Sequence, residues 1–172
     1  MVFKRGRRYA CLYRVRLFSG EIAVGLFSGL FGQGADTSLD VSTAVMVPMI
    51  AAMLADGDIA DEEIRQIRSI CVWSPIYAHN TGDQDTEIIN RAYRLVKDVG
   101  AEAMCTKARE TLSPALRETA FIFAVRLVFS DEHLGSAERT FIERLVGWLG
   151  VTEERSRMLV EAVSIMQHTA RA

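Results

Sequence analysis

Histidine, cysteine and proline are scarce in this sequence, and each shortage excludes a class of chemistry. The 172 residues include three of each. His79, His133 and His168 are scattered, and none stands three residues after a glutamate, as a helical di-iron carboxylate site requires. There is no HExxH zinc helix, no glycine-rich phosphate loop and no GxSxG nucleophile elbow. Cys11, Cys71 and Cys105 are odd in number and form no CxxC pair. That argues against a disulfide framework or a zinc finger and fits a reducing, cytoplasmic setting. Cys71 and Cys105 read as small apolar residues on helices. Few prolines, with abundant Ala, Leu, Met, Arg and Glu, favour helix over sheet. Apolar runs of membrane-spanning length are also missing. Ile22 to Phe31 is too short and is broken by Gly25 and Gly29, and Val41 to Ala55 contains Pro48.

What is present is a chain long enough for one domain with a sizeable core. It is 49% hydrophobic and 24% charged, ordinary values for a globular protein. The net charge of −2 hides an asymmetry. Residues 1–35 carry Lys4, Arg5, Arg7, Arg8, Arg14 and Arg16 against Glu21, a net +5, which leaves −7 for residues 36–172. An acidic body suits cations or basic partners and not nucleic acid. The division expected is a basic, Gly/Phe-containing tail over 1–35 and a helical domain over 36–172. The tail lacks the long apolar core and cleavage site of a signal peptide. It reads as a disordered or loosely docked extension, or one begun at an upstream start codon. The sharper alternative is a peripheral membrane anchor through residues 1–31, with arginines on headgroups and Phe/Leu beneath them.

From residue 36 the pattern is helical. Asp36–Ser38 offers caps for a helix over Leu39–Leu54, which is apolar on nearly every face and so expected to be buried, with Pro48 kinking it. Asp61 opens a helix with Ile64, Ile67, Ile70, Cys71 and Trp73 inward, ended by Ser74-Pro75. Tyr77 to Asp83 reads as a loop. Gln84–Val99 follows with Ile88, Ile89, Ala92, Leu95, Val96 and Val99 inward, stopped by Gly100. Glu102–Leu112 is a shorter helix. Ser113-Pro114 reads as an N-cap with proline at the first helical position of Ala115–Phe129, a second buried helix. Ser136 is expected to cap Ala137–Leu149, with Trp148 a core anchor like Trp73. Gly150 ends that helix, and Thr152 caps a last one carrying Met158, Leu159, Ala162, Ile165 and Met166. The fold class is all-α: about seven helices in one bundle-like domain.

Two acidic loops interrupt this pattern. Ala55-Asp56-Gly57-Asp58-Ile59-Ala60-Asp61-Glu62-Glu63 has a looser counterpart in Ser130-Asp131-Glu132-His133-Leu134-Gly135-Ser136-Ala137-Glu138. At an offset of 75, Asp56 meets Asp131, Glu63 meets Glu138, Ile67 meets Ile142 and Trp73 meets Trp148. Each loop joins a buried helix to an amphipathic one. If the two hairpins pack about a pseudo-twofold axis, Asp56, Glu63, Asp131 and Glu138 converge. Carboxylates brought that close repel unless a cation or protons compensate. Hard oxygen donors select calcium, magnesium or manganese, whereas zinc recruits His or Cys. Helix capping alone also selects acidic residues at these positions. The first loop is not an EF-hand, since Ala60, Asp61 and Ile67 stand where that motif wants Asp or Asn, Gly and Glu.

An apolar helix running into Ala55-Asp56-Gly57-Asp58-Ile59, then an acidic helix start at Asp61-Glu62-Glu63, resembles the TerB tellurite-resistance family. The motif is also similar to one in the N-terminal domain of DjlA-type co-chaperones. The resemblance spans about residues 37–168. It departs from the pattern in the second loop, where Glu132-His133 replaces Gly-Asp. It implies an all-helical cytoplasmic stress protein that works in complexes near the inner membrane, with protein partners of unspecified identity. It also implies a metal-binding acidic site on Asp56, Glu63, Asp131 and Glu138. The function expected is therefore a non-enzymatic domain that binds a divalent cation or a protein. Two alternatives stand beside it. One is a metal-dependent hydrolase using the same four carboxylates to activate water. The other is a membrane-surface adaptor working through the tail.

Overall fold

The computed structural model describes residues 36–55, 61–129 and 135–166, with the side chains of residues 61–63 excepted. The tail over residues 1–35, and every reading of it as anchor or extension, lies outside them.

The fold is built around α1, Val41–Ala55. Thr43 through Met53 are all buried, as a helix without a polar face must be. Its start is fixed by Asp40, not by Asp36–Ser38. The Asp40 carboxylate accepts from Thr43 N (2.8 Å) and Thr43 Oγ1 (2.9 Å), and Arg91 reaches the same carboxylate at 3.4 Å. The helix continues through Pro48, whose ring sits in the core. Four helices pack on α1, most extensively α5 (Pro114–Val128), then α3 (Gly82–Val99) and α4 (Ala101–Thr111), and least α6 (Ser136–Leu149). Helix α7 (Glu153–Met166) and α2 (Asp61–Trp73) lie against α5. Seven helices and no strand are present among the described residues.

Local chemistry explains most boundaries. Thr81 and Gln84 form a reciprocal capping box at the start of α3, which opens at Gly82, two residues earlier than the apolar periodicity suggests. Ser113 Oγ accepts from Leu116 N, with Pro114 at the first position of α5. The N-cap of α6 is Gly135 and Ser136 is already helical, because the carboxylate that closes this end comes from Glu138. Gly150 takes the left-handed conformation (φ 63°) that ends α6, and the Arg109 side chain fills the space where a Cβ would stand.

Two sequence-derived burial expectations fail for one reason: periodicity identifies an apolar stripe but not what covers it. Trp73 is 50% exposed and Val99 faces solvent. The apolar Met158, Ile165 and Met166 of α7 also face solvent, and Ser156 and Val163 are buried there instead. Conversely, Tyr77, expected in a loop, is fully buried and donates its hydroxyl to Ser42 O at 3.1 Å, tying the α2–α3 connection to the start of α1.

Candidate functional site at the junction of two helical hairpins

The first acidic loop links α1 to α2 as one helical hairpin and the second links α5 to α6 as the other; α5 and α6 pack on each other, while α1 and α2 meet little among the described residues. The first helices of the two hairpins pack on each other. Each second helix then lies against the other hairpin's first helix, α2 on α5 and α6 on α1. Mutual exchange of this kind is what a pseudo-twofold arrangement produces. The side chains keep the sequence register. Trp73 makes an edge contact with Phe123 (5.4 Å between centroids), and the Arg126 guanidinium lies over its ring at 5.7 Å. The offset of 75 carries Trp73 onto Trp148 and Arg126 onto Ala51. Trp148 and Ala51 line one cleft.

That cleft, about 650 Å³, is walled by the last turn of α1 (Ala51, Leu54, Ala55), the α3–α4 corner (Val96, Lys97, Ala101) and one face of α6. The end of α1, from which the first acidic loop departs, and the start of α6, at which the second arrives, therefore lie at the same place in the fold.

Of the four predicted ligands, Glu138 is the one whose side chain is described. Its Oε2 accepts from the backbone N–H of Gly135, the capping role a first-turn glutamate performs without any ligand. A Cβ at residue 135 would sit 3.3 Å from that oxygen, so glycine there lets the carboxylate close tightly onto the backbone. Oε1 makes no hydrogen bond among the described residues. A carboxylate held by one oxygen and free at the other is oriented as a metal ligand would be. Glu63 belongs to the first turn of α2, with its side chain outside the described residues, as are Asp56 and Asp131. Among the described residues alone, no three His, Cys, Asp or Glu side chains are grouped to hold an ion.

The buried thiols offer no nucleophile. Burial, with the Asp85 carboxylate adding to it, pushes Cys71 up to about 12, and burial alone does the same to Cys105. Burial likewise raises the Tyr77 hydroxyl. Lys97 and Arg144, both on the cleft, were not singled out from the sequence. They lie on the polar faces of their helices, and nothing in local pattern separates them from other surface cations.

The class is thus an all-helical domain of two exchanged hairpins, each turning through an acidic loop. The model of the family described as "Tellurite resistance protein TerB" matches residues 42–160. The chain belongs to this family. No curated protein and no solved structure gives a significant match. Among the described residues no helix is long and apolar enough to cross a membrane.

Proposed function

We propose that this tellurite-resistance-family domain is a non-enzymatic binding module that takes up a divalent cation, calcium, magnesium or manganese, between its two acidic loops and presents the loaded surface to a protein partner in a cytoplasmic stress response. Asp56 and Glu63 from the first hairpin and Asp131 and Glu138 from the second are the ligands. A bound divalent ion would offset half the charge of four clustered carboxylates and cross-link the hairpins, so that loading changes both charge and rigidity at one end of the domain.

The observation that carries this reading is the shared cleft at the end of α1 and the start of α6. It supports adjacency of the two loops, which sequence similarity between them leaves open. The donor chemistry agrees, being hard oxygen throughout, and Glu138 is already oriented through Gly135.

Calorimetric titration with calcium, magnesium, manganese and zinc tests it on the full chain and on Asp56→Asn/Asp131→Asn. One ion per wild-type chain is expected, with one of the three hard cations preferred over zinc and affinity at least ~10-fold lower in the double variant, since loss even of a group that only supports a ligand costs that much. An ion at ~100 times its Kd should also add about 2.7 kcal/mol to stability. No uptake of any ion by the wild type overturns the reading. Turnover of phosphoester or ester substrates only in the presence of metal would favour the hydrolytic alternative.

A further inference from the structure

The cleft itself has a chemical character that the acidic loops do not explain. Its floor is apolar, formed by Leu54, Val96, Phe141 and Trp148. Four alanines (51, 55, 101 and 137) leave the space open where larger side chains would close it. Its volume falls within the range of small-molecule sites, which pair an apolar lining with a few placed polar groups. Among the described residues the charged groups lining it are both cations, Lys97 from α3 and Arg144 from α6.

Among the described residues neither cation has an ion-pair partner. Lys97 lies 5.7 Å from the centre of the Tyr93 ring, and Arg144 makes no ion pair or hydrogen bond among them. Two such cations beside a low-dielectric wall favour an acidic group in the cleft. The N-terminal end of α6 does not serve as the anion holder, because Glu138 already occupies it. Thr140 Oγ1 donates to Ser136 O and is spent on its own helix. The anion-binding capacity therefore rests on the two side-chain cations.

We propose that this cleft binds a small amphipathic anion, a molecule with a compact apolar body and one acidic group. The body rests on Trp148, Phe141 and Leu54, and the acidic group lies between Lys97 and Arg144. This site is independent of the cation reading: its ligand has the opposite charge, and no carboxylate proposed as a metal ligand takes part.

The probe is 4-tert-butylbenzoate, with the neutral 4-tert-butylbenzyl alcohol as its match in shape. Trp148 becomes the sole indole in a full-length Trp73→Phe background, since the chain has two tryptophans and Trp73 lies outside the cleft. A saturable change in Trp148 emission with the acid is expected, with the alcohol at least ~10-fold weaker. Lys97→Ala/Arg144→Ala, two exposed positions, should weaken the acid ~10-fold or more while leaving the alcohol unchanged. Ala137→Phe, also exposed and filling the cleft, should abolish both while helicity by circular dichroism is retained. The proposal is overturned by no saturable change, by equal binding of acid and alcohol, or by binding that survives both the double substitution and Ala137→Phe.

Discussion

The two hairpins of this domain share a plan and differ in their surroundings. Both place a buried helix in the centre, turn through an acidic loop, and return with a helix bearing a tryptophan at the same register. Yet Trp73 is half exposed over Phe123 and beneath Arg126, whereas Trp148 is more covered and lines a cleft. The cause is what packs outside the repeat. Helices α3 and α4 enclose α1 and build a wall beside α6, while among the described residues α2 packs chiefly on α5. Of two nearly equivalent positions, the one at Trp148 thus lines a cleft and the one at Trp73 is half exposed. An internal repeat supplies the frame, and the insertion between its halves walls the cleft at one of them.

The largest effect expected on this comparison is at the contact of the two central helices. Met46 and Phe121 correspond at the offset of 75, and both are fully buried. Met46→Ala should cost ~2–5 kcal/mol and Phe121→Ala ~3–5 kcal/mol, read by urea unfolding. A cost under ~1 kcal/mol at either would show that the repeat is not symmetric in its core. The tryptophans should separate next. Trp148→Ala should lose about 2 kcal/mol or more, because it leaves a space beside Phe141 and Leu54. Trp73→Ala should lose about 1 kcal/mol, chiefly its edge contact with Phe123 and the cation above it. Equal losses would contradict the difference in covering.

The smallest effect lies at the outer edge of the second hairpin. Arg155 pairs with Glu118 through two hydrogen bonds (2.9 and 2.6 Å), and the bond to Arg155 holds the Glu118 carboxyl below its ordinary range. A depressed folded pKa means that this contribution is present above the unfolded carboxylate pKa and is lost as pH falls through the folded value. The pair is solvent-exposed, so Glu118→Gln should shift the thermal midpoint only slightly, and the shift should vanish in high salt and in acid.

Much of this was legible beforehand. The apolar run Leu39–Leu54 located α1, Val41–Ala55, with its start two residues early and its end one residue short. Ser113-Pro114 marked the start of α5, and Gly150 marked the end of α6. These signals are local, fixed by the backbone chemistry of one turn. Exposure of Trp73, Val99 and the α7 methionines, and burial of Tyr77, depend on neighbours far along the chain, to which a periodicity is blind. The candidate site divides the same way. Four carboxylates could be chosen by register, and Glu138 now has a described partner in Gly135. Lys97 and Arg144 became visible only once the α3–α4 corner met α6.

The central claim is that both acidic loops serve one ion, and paramagnetic broadening by manganese in amide NMR tests it most directly. At substoichiometric manganese the account predicts that Ile64, at the start of α2, and Ser136 and Ala137, at the start of α6, broaden together. All three should recover together when calcium or magnesium is added in excess. Broadening confined to one loop, or to neither, would contradict it.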